Sequence, residues 1–157
     1  MSAMPATVAE RTVRRPSGLV IAIIVVALIG LADASYLTYE HYNHYQSLAC
    51  VGKGVQGHSS CYTVQTSVWA EVGGVPVALL GLIGYVLLLL SLLIPGDLGR
   101  AVSFGIALIG FLFSAYLTYR EAFTIHHYCE WCLGSAVCLT ILTVLTGIRF
   151  VRGSTPA

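Results

Sequence analysis

The chain has 157 residues, of which 57% are hydrophobic and only 10% are charged. In soluble domains of ordinary composition, about a quarter of all residues are charged, so the composition argues against a soluble globular protein. The formal net charge of +1 offers no basic surface of the kind that binds nucleic acid.

Four apolar segments, each of about 20 residues, follow one another along the chain. Segments of this length cross a hydrocarbon core of about 30 Å as helices, and none has the alternating pattern of a barrel strand. The sequence therefore predicts an all-α membrane protein, a four-transmembrane-helix bundle with a long outer loop between helices 1 and 2. The segments are Leu19 to Tyr39, Val75 to Ile94, Ala101 to Phe123 and Cys132 to Val151.

The first segment has a second interpretation as a secretory signal peptide, because basic residues precede the apolar run and Ala32-x-Ala34 resembles a cleavage site. An internal echo favours a retained helix. ALIGLADASYLTYE (Ala27 to Glu40) matches ALIGFLFSAYLTYR (Ala107 to Arg120) at eight of fourteen positions, with an offset of 80. The echo indicates either an ancient duplication or similar packing demands on two helices.

Lysine and arginine in short loops set the orientation of a membrane protein, and the richer side faces the cytoplasm. With four helices, six such residues lie on one side and two on the other. We therefore expect cytoplasmic tails at residues 1–18 and 152–157 and a cell-membrane domain over residues 19–151. The six are Arg11, Arg14, Arg15, Arg100, Arg149 and Arg152, and the two are Lys53 and Arg120.

Four of the five cysteines fall at the predicted outer face, where disulfides are permitted. Cys50 and Cys61 bracket a Gly- and Ser-rich stretch. Cys129 and Cys132 form a Cys-x-x-C pair where the last helix begins, and a helix N-terminus lowers the pKa of a thiol. There the pair could meet both a protein thiol and a lipid-soluble oxidant such as a quinone. Cys138 lies deeper and is expected to pack as a small apolar residue.

Two other interpretations of the cysteines stay open. Two disulfides could staple the outer loops of a non-catalytic membrane protein, although the tight Cys-x-x-C spacing makes a poor staple. Alternatively, the cysteines could bind zinc together with His58, His126 and His127. An oxidising compartment and the wide spacing of the first cysteine pair disfavour zinc, so we expect no metal.

The arrangement of these motifs resembles the vitamin K epoxide reductase family, in particular its bacterial members. The matching features are a cysteine pair in the first outer loop, Cys-x-x-C opening the fourth helix, YLTYEH ending the first helix, and CYTVQTSVWAEVGGVPVALLGLIGY from Cys61 to Tyr85. Ser67 stands where the family has Ser or Thr, and Trp69 matches a Trp of vertebrate members. The similarity covers residues 19–151.

The resemblance implies a membrane thiol:quinone oxidoreductase that supports disulfide formation in exported proteins. Cys50 would exchange with an extracytoplasmic thioredoxin-fold (DsbA-like) protein, and Cys61 would pass electrons to Cys129. Cys132 would then reduce a quinone, either menaquinone or ubiquinone, and form a disulfide with Cys129. Ser67 would help to hold the cap of the quinone pocket.

Two positions depart from the vertebrate pattern. Vertebrate members bind vitamin K through an Asn in helix two and a Tyr one turn past Cys-x-x-C, and Val77 and Ala136 stand at the matching positions here. Neither side chain can donate a hydrogen bond. The quinone-binding positions of this chain are thus predicted to favour a plain quinone, with a vitamin K epoxide or quinone reductase proper as the alternative.

Asp33 is the one acid well inside an apolar span, where a charge costs about 2.5–3.5 kcal/mol. Either it supplies a proton path to the reduced quinone, or a neighbouring hydroxyl or the membrane boundary satisfies it. The stretch from Trp69 to Pro76 is predicted to be a short amphipathic segment on the outer membrane surface that caps the quinone pocket. Ser67 would hold this cap by a hydrogen bond or N-cap a helical turn.

Overall fold

The computed structural model describes residues 17–54 and 58–154. Helices dominate it, as expected for apolar segments that must satisfy their own backbone groups in lipid. The elements in chain order are α1 (Gly18–Tyr42), α2 (Ser60–Gln65), β1 (Glu71–Val72), β2 (Val75–Pro76), α3 (Val77–Ser91), α4 (Gly96–Arg120), a π-helix (Glu121–Ile125) that continues α4, and α5 (Glu130–Ser154).

Three helical segments of the described chain are long and apolar enough to cross a membrane: Gly18–Tyr42, Gly96–Ile125 and Glu130–Gly153. They indicate a membrane protein. The fourth predicted segment is the 15-residue helix α3, which is shorter than the roughly 20 residues of a spanning helix. It is shorter than predicted because Val75 and Pro76 belong to β2 and the helix ends at Ser91. A bundle of four spanning helices therefore stays a prediction.

Small residues allow the long helices to approach one another closely. Helix α1 packs against α3 and α5, and α4 packs against the same two helices. A side chain on Gly30 would collide with the ring of Tyr85, whose hydroxyl lies 2.9 Å from Ser135 Oγ on α5. The buried core around this contact consists of Ile23, Ala27, Ala34, Tyr85, Leu88, Ala107 and Leu142.

The segment after Trp69 contains a short β-hairpin, and its predicted place on the outer membrane surface stays a prediction. Strands β1 and β2 pair antiparallel, with Val72 opposite Val75. The two residues between them, Gly73 and Gly74, have φ of 61° and 82°. Two consecutive positive φ angles are the signature of a tight hairpin turn that glycine adopts without strain.

Candidate redox site

The first cysteine pair is joined. Cys50 and Cys61 form a disulfide with a Cα–Cα distance of 6.1 Å. Cys61 is fully buried, whereas Cys50 keeps part of its surface exposed. The neighbour of Cys50 in sequence, Val51, is 89% exposed. Of the two sulfur atoms, that of Cys50 is therefore the one that lies nearer to water.

Hydrogen bonds from two helices anchor the segment that carries Cys50. Ala49 N–H donates to the Tyr36 hydroxyl of α1 over 3.0 Å, and the Ala49 carbonyl accepts from Trp131 Nε1 of α5 over 2.7 Å. Val51 N–H donates to Glu130 Oε1 over 3.1 Å. Because Glu130 and Trp131 lie between Cys129 and Cys132 in sequence, these bonds hold one cysteine pair against the other.

The short helix α2 presents Cys61 and Gln65 one turn apart, on the same face. Gln65 Nε2 donates to Cys132 Sγ over 3.3 Å and lies 3.8 Å from Cys129 Sγ. Sequence analysis did not identify Gln65. Its signal was the spacing of four residues from Cys61, which has a meaning only once the segment is known to be helical.

The Cys-x-x-C pair opens α5, as predicted, with Cys129 just before the helix and Cys132 in its first turn. Both sulfurs are free thiols. Cys129 is fully buried in one apolar cluster with Cys61 and Val64, and Cys132 packs against that cluster. The hydrogen bond with Cys132 lowers the pKa of Cys129, and Gln65 adds to this effect against the opposing effect of burial. Cys129 is thus prepared to react as a thiolate.

A buried carboxylate completes the surroundings of the dithiol. Glu121, the first residue of the π-helix, is only 3% exposed, and its Oε2 accepts the backbone N–H of Cys129 over 3.1 Å. Sequence analysis gave Glu121 no role, since an acid near the end of an apolar segment is ordinary. π-Helical turns occur frequently at functional sites.

Beside the dithiol lies a cavity of about 490 Å³, within the usual size range of small-molecule sites. Its wall is almost entirely apolar and comes from α1, α3, α4 and α5, with α2 and the residues before the hairpin at one end. Among the described residues that line it, Cys132 is the one cysteine. A flat apolar ring would therefore reach the Cys132 sulfur from this cavity.

The cofactor-binding positions predicted from the sequence divide into two groups. Ser67, Trp69 and Val77 line the cavity, whereas Ala136 does not, although its neighbour Ser135 does. Ser67 Oγ donates to the Val64 carbonyl over 2.7 Å, so it closes the end of α2 and N-caps no helix. Arg120 makes a cation–π contact with Trp69, because its guanidinium carbon lies 4.1 Å from the centroid of the Trp69 ring.

Asp33 also lines the cavity, on the α1 side. Its Oδ2 atom is buried and has no hydrogen-bond partner among residues 17–54 and 58–154. A neighbouring hydroxyl therefore does not satisfy this oxygen, which was one of the two interpretations of Asp33. A buried acceptor without a partner is unfavourable by about 1–3 kcal/mol.

The remaining candidates lie apart from the dithiol or form no cluster. Within the described residues, no group of three or more His, Cys, Asp or Glu could hold a metal ion. Cys138 is a free, half-buried thiol of α5 that does not line the cavity. His126 is exposed and ends the π-helix with a left-handed backbone, φ 57°.

The family comparison agrees with this geometry. The model of the vitamin K epoxide reductase family matches residues 21–147, which include all four cysteines of the site and most or all of each described helix. Members of this family are oxidoreductases and are in general quinone-linked. The disulfide of the first pair and the adjacent free thiols fit a redox role. The chain belongs to the vitamin K epoxide reductase family.

Proposed function

We propose that the protein is a membrane thiol:quinone oxidoreductase that reoxidises an extracytoplasmic thioredoxin-fold protein. The observation that carries the proposal is the graded exposure of the four sulfurs. Cys50 is partly exposed, Cys61 and Cys129 are buried in one cluster, and Cys132 lines the apolar cavity. Electrons would enter from the aqueous side and leave to a substrate that dissolves in lipid.

The first half of the reaction is thiol–disulfide exchange. A thiolate of the partner attacks Cys50, the Cys50–Cys61 bond breaks, and Cys61 leaves as a thiolate. The second partner thiol then attacks the mixed disulfide, so that the partner leaves oxidised and the first pair is reduced. The exposed Val51 next to Cys50 supports this entry point, because an incoming sulfur must approach in line with the bond that it breaks.

The second half moves the electrons to the quinone, which is a substrate here. Cys61 attacks Cys129 of an oxidised second pair, Cys132 leaves as a thiolate, and Cys50 closes the first disulfide again. The resulting arrangement has Cys50 bonded to Cys61 and two free thiols at Cys129 and Cys132, as in the structure. Cys132 and Cys129 then give two electrons to the quinone, menaquinone or ubiquinone, and form their own disulfide.

The cavity wall favours a plain quinone over a vitamin K epoxide. Val77 contributes an apolar side chain to the wall, and Ala136 lies outside it. Neither can donate a hydrogen bond to a quinone oxygen. The polar groups that line the cavity close to the dithiol are instead Gln65 and Glu121.

The proposal includes four membrane-spanning helices, cytoplasmic termini and cysteines at the outer face. Helix α3 supports the fourth span because it packs against both α1 and α4 and carries no charged residue over its 15 residues. Arg100 and Arg149 support the orientation, since they lie close enough together at the opposite end of the helices to share Ser103.

The proposal is tested with purified protein, a reduced thioredoxin-fold partner and a soluble quinone, by following quinone absorbance. Wild-type protein should consume quinone. Cys132→Ala should abolish this activity, because it removes the sulfur that faces the cavity. Cys138→Ala is the matched control and should keep wild-type activity, because this free thiol of the same helix does not line the cavity. Equal rates in the two variants would contradict the relay.

A further inference from the structure

We propose that Glu121 is a catalytic residue of this site, the group that takes the proton of the Cys132 thiol and delivers it to an oxygen of the quinone. The proposal rests on the proposed function, since it needs a quinone in the cavity. It adds a residue that the cysteine pattern does not reveal.

Position is the first argument. Glu121 accepts the Cys129 backbone N–H over 3.1 Å. Its side chain and Cys132 line the same cavity. It therefore lies at the cavity wall next to the dithiol, where the Cys132 sulfur must lose a proton and the quinone oxygen must gain one.

Burial is the second argument. Glu121 is 3% exposed, and ionisable residues inside membrane proteins frequently mark functional sites. For packing alone, an apolar side chain would fill the space at lower free energy. The π-helix places the residue there, because the wider turn begins at Glu121 itself and ends at Ile125.

Asp33 is the other carboxyl among the described residues that line the cavity, and it is placed differently. Its Oδ2 has no hydrogen-bond partner, whereas the Glu121 carboxyl is oriented by the Cys129 backbone. General acid–base catalysis requires a group held within hydrogen-bond distance of the atom that it serves. Glu121 meets that requirement better than Asp33, because its hydrogen bond to Cys129 holds it beside the dithiol that is proposed to meet the quinone.

In the proposed reaction, two electrons and two protons reach the quinone. The Cys132 S–H bond breaks, Glu121 gains the proton, and the Cys132 sulfur forms a bond to a ring carbon of the quinone. Glu121 then gives its proton to one quinone oxygen and is a carboxylate again. Cys129, as a thiolate, attacks the Cys132 sulfur, the S–C bond breaks, and its electron pair remains with the quinol. The proton that Cys129 lost on ionising passes to water, and water supplies the proton of the second oxygen.

The test compares Glu121→Gln with Asp97→Asn in the full-length protein. Glutamine keeps an oxygen that can accept the Cys129 N–H but cannot carry the proton. In a single turnover of the pre-reduced protein with a soluble quinone, Glu121→Gln should react about 100-fold more slowly, the size of a general acid–base contribution. Asp97→Asn should match the wild type, because Asp97 is an exposed carboxylate at the start of the same helix, α4.

A second readout distinguishes proton transfer from a structural role. Maleimide labelling of Cys132, followed by mass spectrometry without quinone, reports how readily this thiol ionises. At alkaline pH, hydroxide ionises the thiol without Glu121, so labelling of Glu121→Gln at that pH should be as fast as in the wild type, while quinone reduction at neutral pH is slow. Slow labelling together with slow quinone reduction would overturn the proposal, because it would indicate a disrupted site.

The remaining outcomes also test the role of Glu121. Quinone reduction at the wild-type rate in Glu121→Gln would overturn the role of Glu121 and leave the proposed function intact. Failure of the wild-type protein to reduce quinone would overturn both. If Glu121→Gln does not fold, Glu121→Asp replaces it, because a carboxyl withdrawn by one methylene should also slow the quinone step. An unchanged rate in that variant would contradict the proposal.

Discussion

The internal echo places two similar stretches, Ala27 to Glu40 in α1 and Ala107 to Arg120 in α4, in comparable surroundings, and the copies differ at a position that lines the cavity and at their last residues. Both copies occupy equivalent positions, since each helix packs against α3 and α5. Ala27 and Ala107 are both fully buried. Packing therefore explains the identity at this pair without any reference to catalysis.

Two of the differences between the copies concern the cavity wall and the outer ends of the helices. Asp33 and Phe113 stand at equivalent positions, and both line the cavity. Glu40 and Arg120 end the two copies, and each fastens a different part of the chain. Glu40 is buried against Ser47, near the first cysteine pair, whereas Arg120 lies over the ring of Trp69. The last residues of the two similar helices thus contact different parts of the chain.

The largest expected change in the free energy of unfolding concerns the last residues of the two copies, Glu40 and Arg120. Glu40 is 1% exposed and accepts from Ser47 Oγ over 2.7 Å and from Ser47 N over 3.3 Å. Glu40→Ala leaves both donors without this partner and should lower the free energy of unfolding by about 3 kcal/mol. Arg120→Ala loses a cation–π contact worth about 0.5–1 kcal/mol.

Unfolding of both variants in detergent, followed by circular dichroism, measures this difference. Glu40→Gln is the control, because it keeps an acceptor oxygen and should lose clearly less than Glu40→Ala. Equal losses in Glu40→Ala and Arg120→Ala would mean that the two ends of the echo do not differ in the way that their contacts indicate.

An intermediate change in the free energy of unfolding is expected at Gly30 and Gly110, the equivalent glycines of the two copies. A Cβ on Gly30 would collide with the Tyr85 ring, which is held by Ser135, whereas a Cβ on Gly110 would meet a methyl of Leu139 at 3.0 Å. Gly30→Ala should therefore destabilise by about 2 kcal/mol, as an overpacked core does. Gly110→Ala should be close to neutral, since Leu139 can move and alanine favours a helix by about 1 kcal/mol. Unfolding in the same detergent measures both, and the reverse order would contradict the packing comparison.

The smallest expected change in stability concerns the position at which the copies differ inside the cavity. Asp33→Leu removes a buried oxygen that lacks a partner and should raise the free energy of unfolding by about 1 kcal/mol. The same variant should reduce quinone more slowly, because it removes a polar group from the cavity wall. A gain in stability with a loss of activity is typical of a functional residue.

Phe113→Leu is the matched control at the equivalent position of α4, where an apolar side chain already stands. It should keep quinone reduction near the wild-type rate. If Asp33→Leu reduces quinone as fast as the wild type, Asp33 has no part in the reaction. Its unpartnered oxygen would then only lower the stability of the protein.

The sequence by itself determined the membrane character, the family and the position of the Cys-x-x-C pair at the start of the last helix. Hydropathy and cysteine spacing are local properties, and a helix N-terminus follows directly after Cys129 whatever the rest of the chain does. The hairpin was missed although its signal, Gly73–Gly74, is also local, because Val75 was assigned to the start of a membrane helix.

Only the tertiary structure decided which polar groups meet the sulfurs. Gln65 reaches Cys132 across 67 positions of sequence because α2 docks against the start of α5, and Glu121 reaches Cys129 because a π-helix turns it inward. Neither residue stands out in a pattern, since Gln and Glu near the ends of apolar segments are usually solvated. Their contacts depend on long-range packing, which places side chains that are distant in sequence around one dithiol and one cavity.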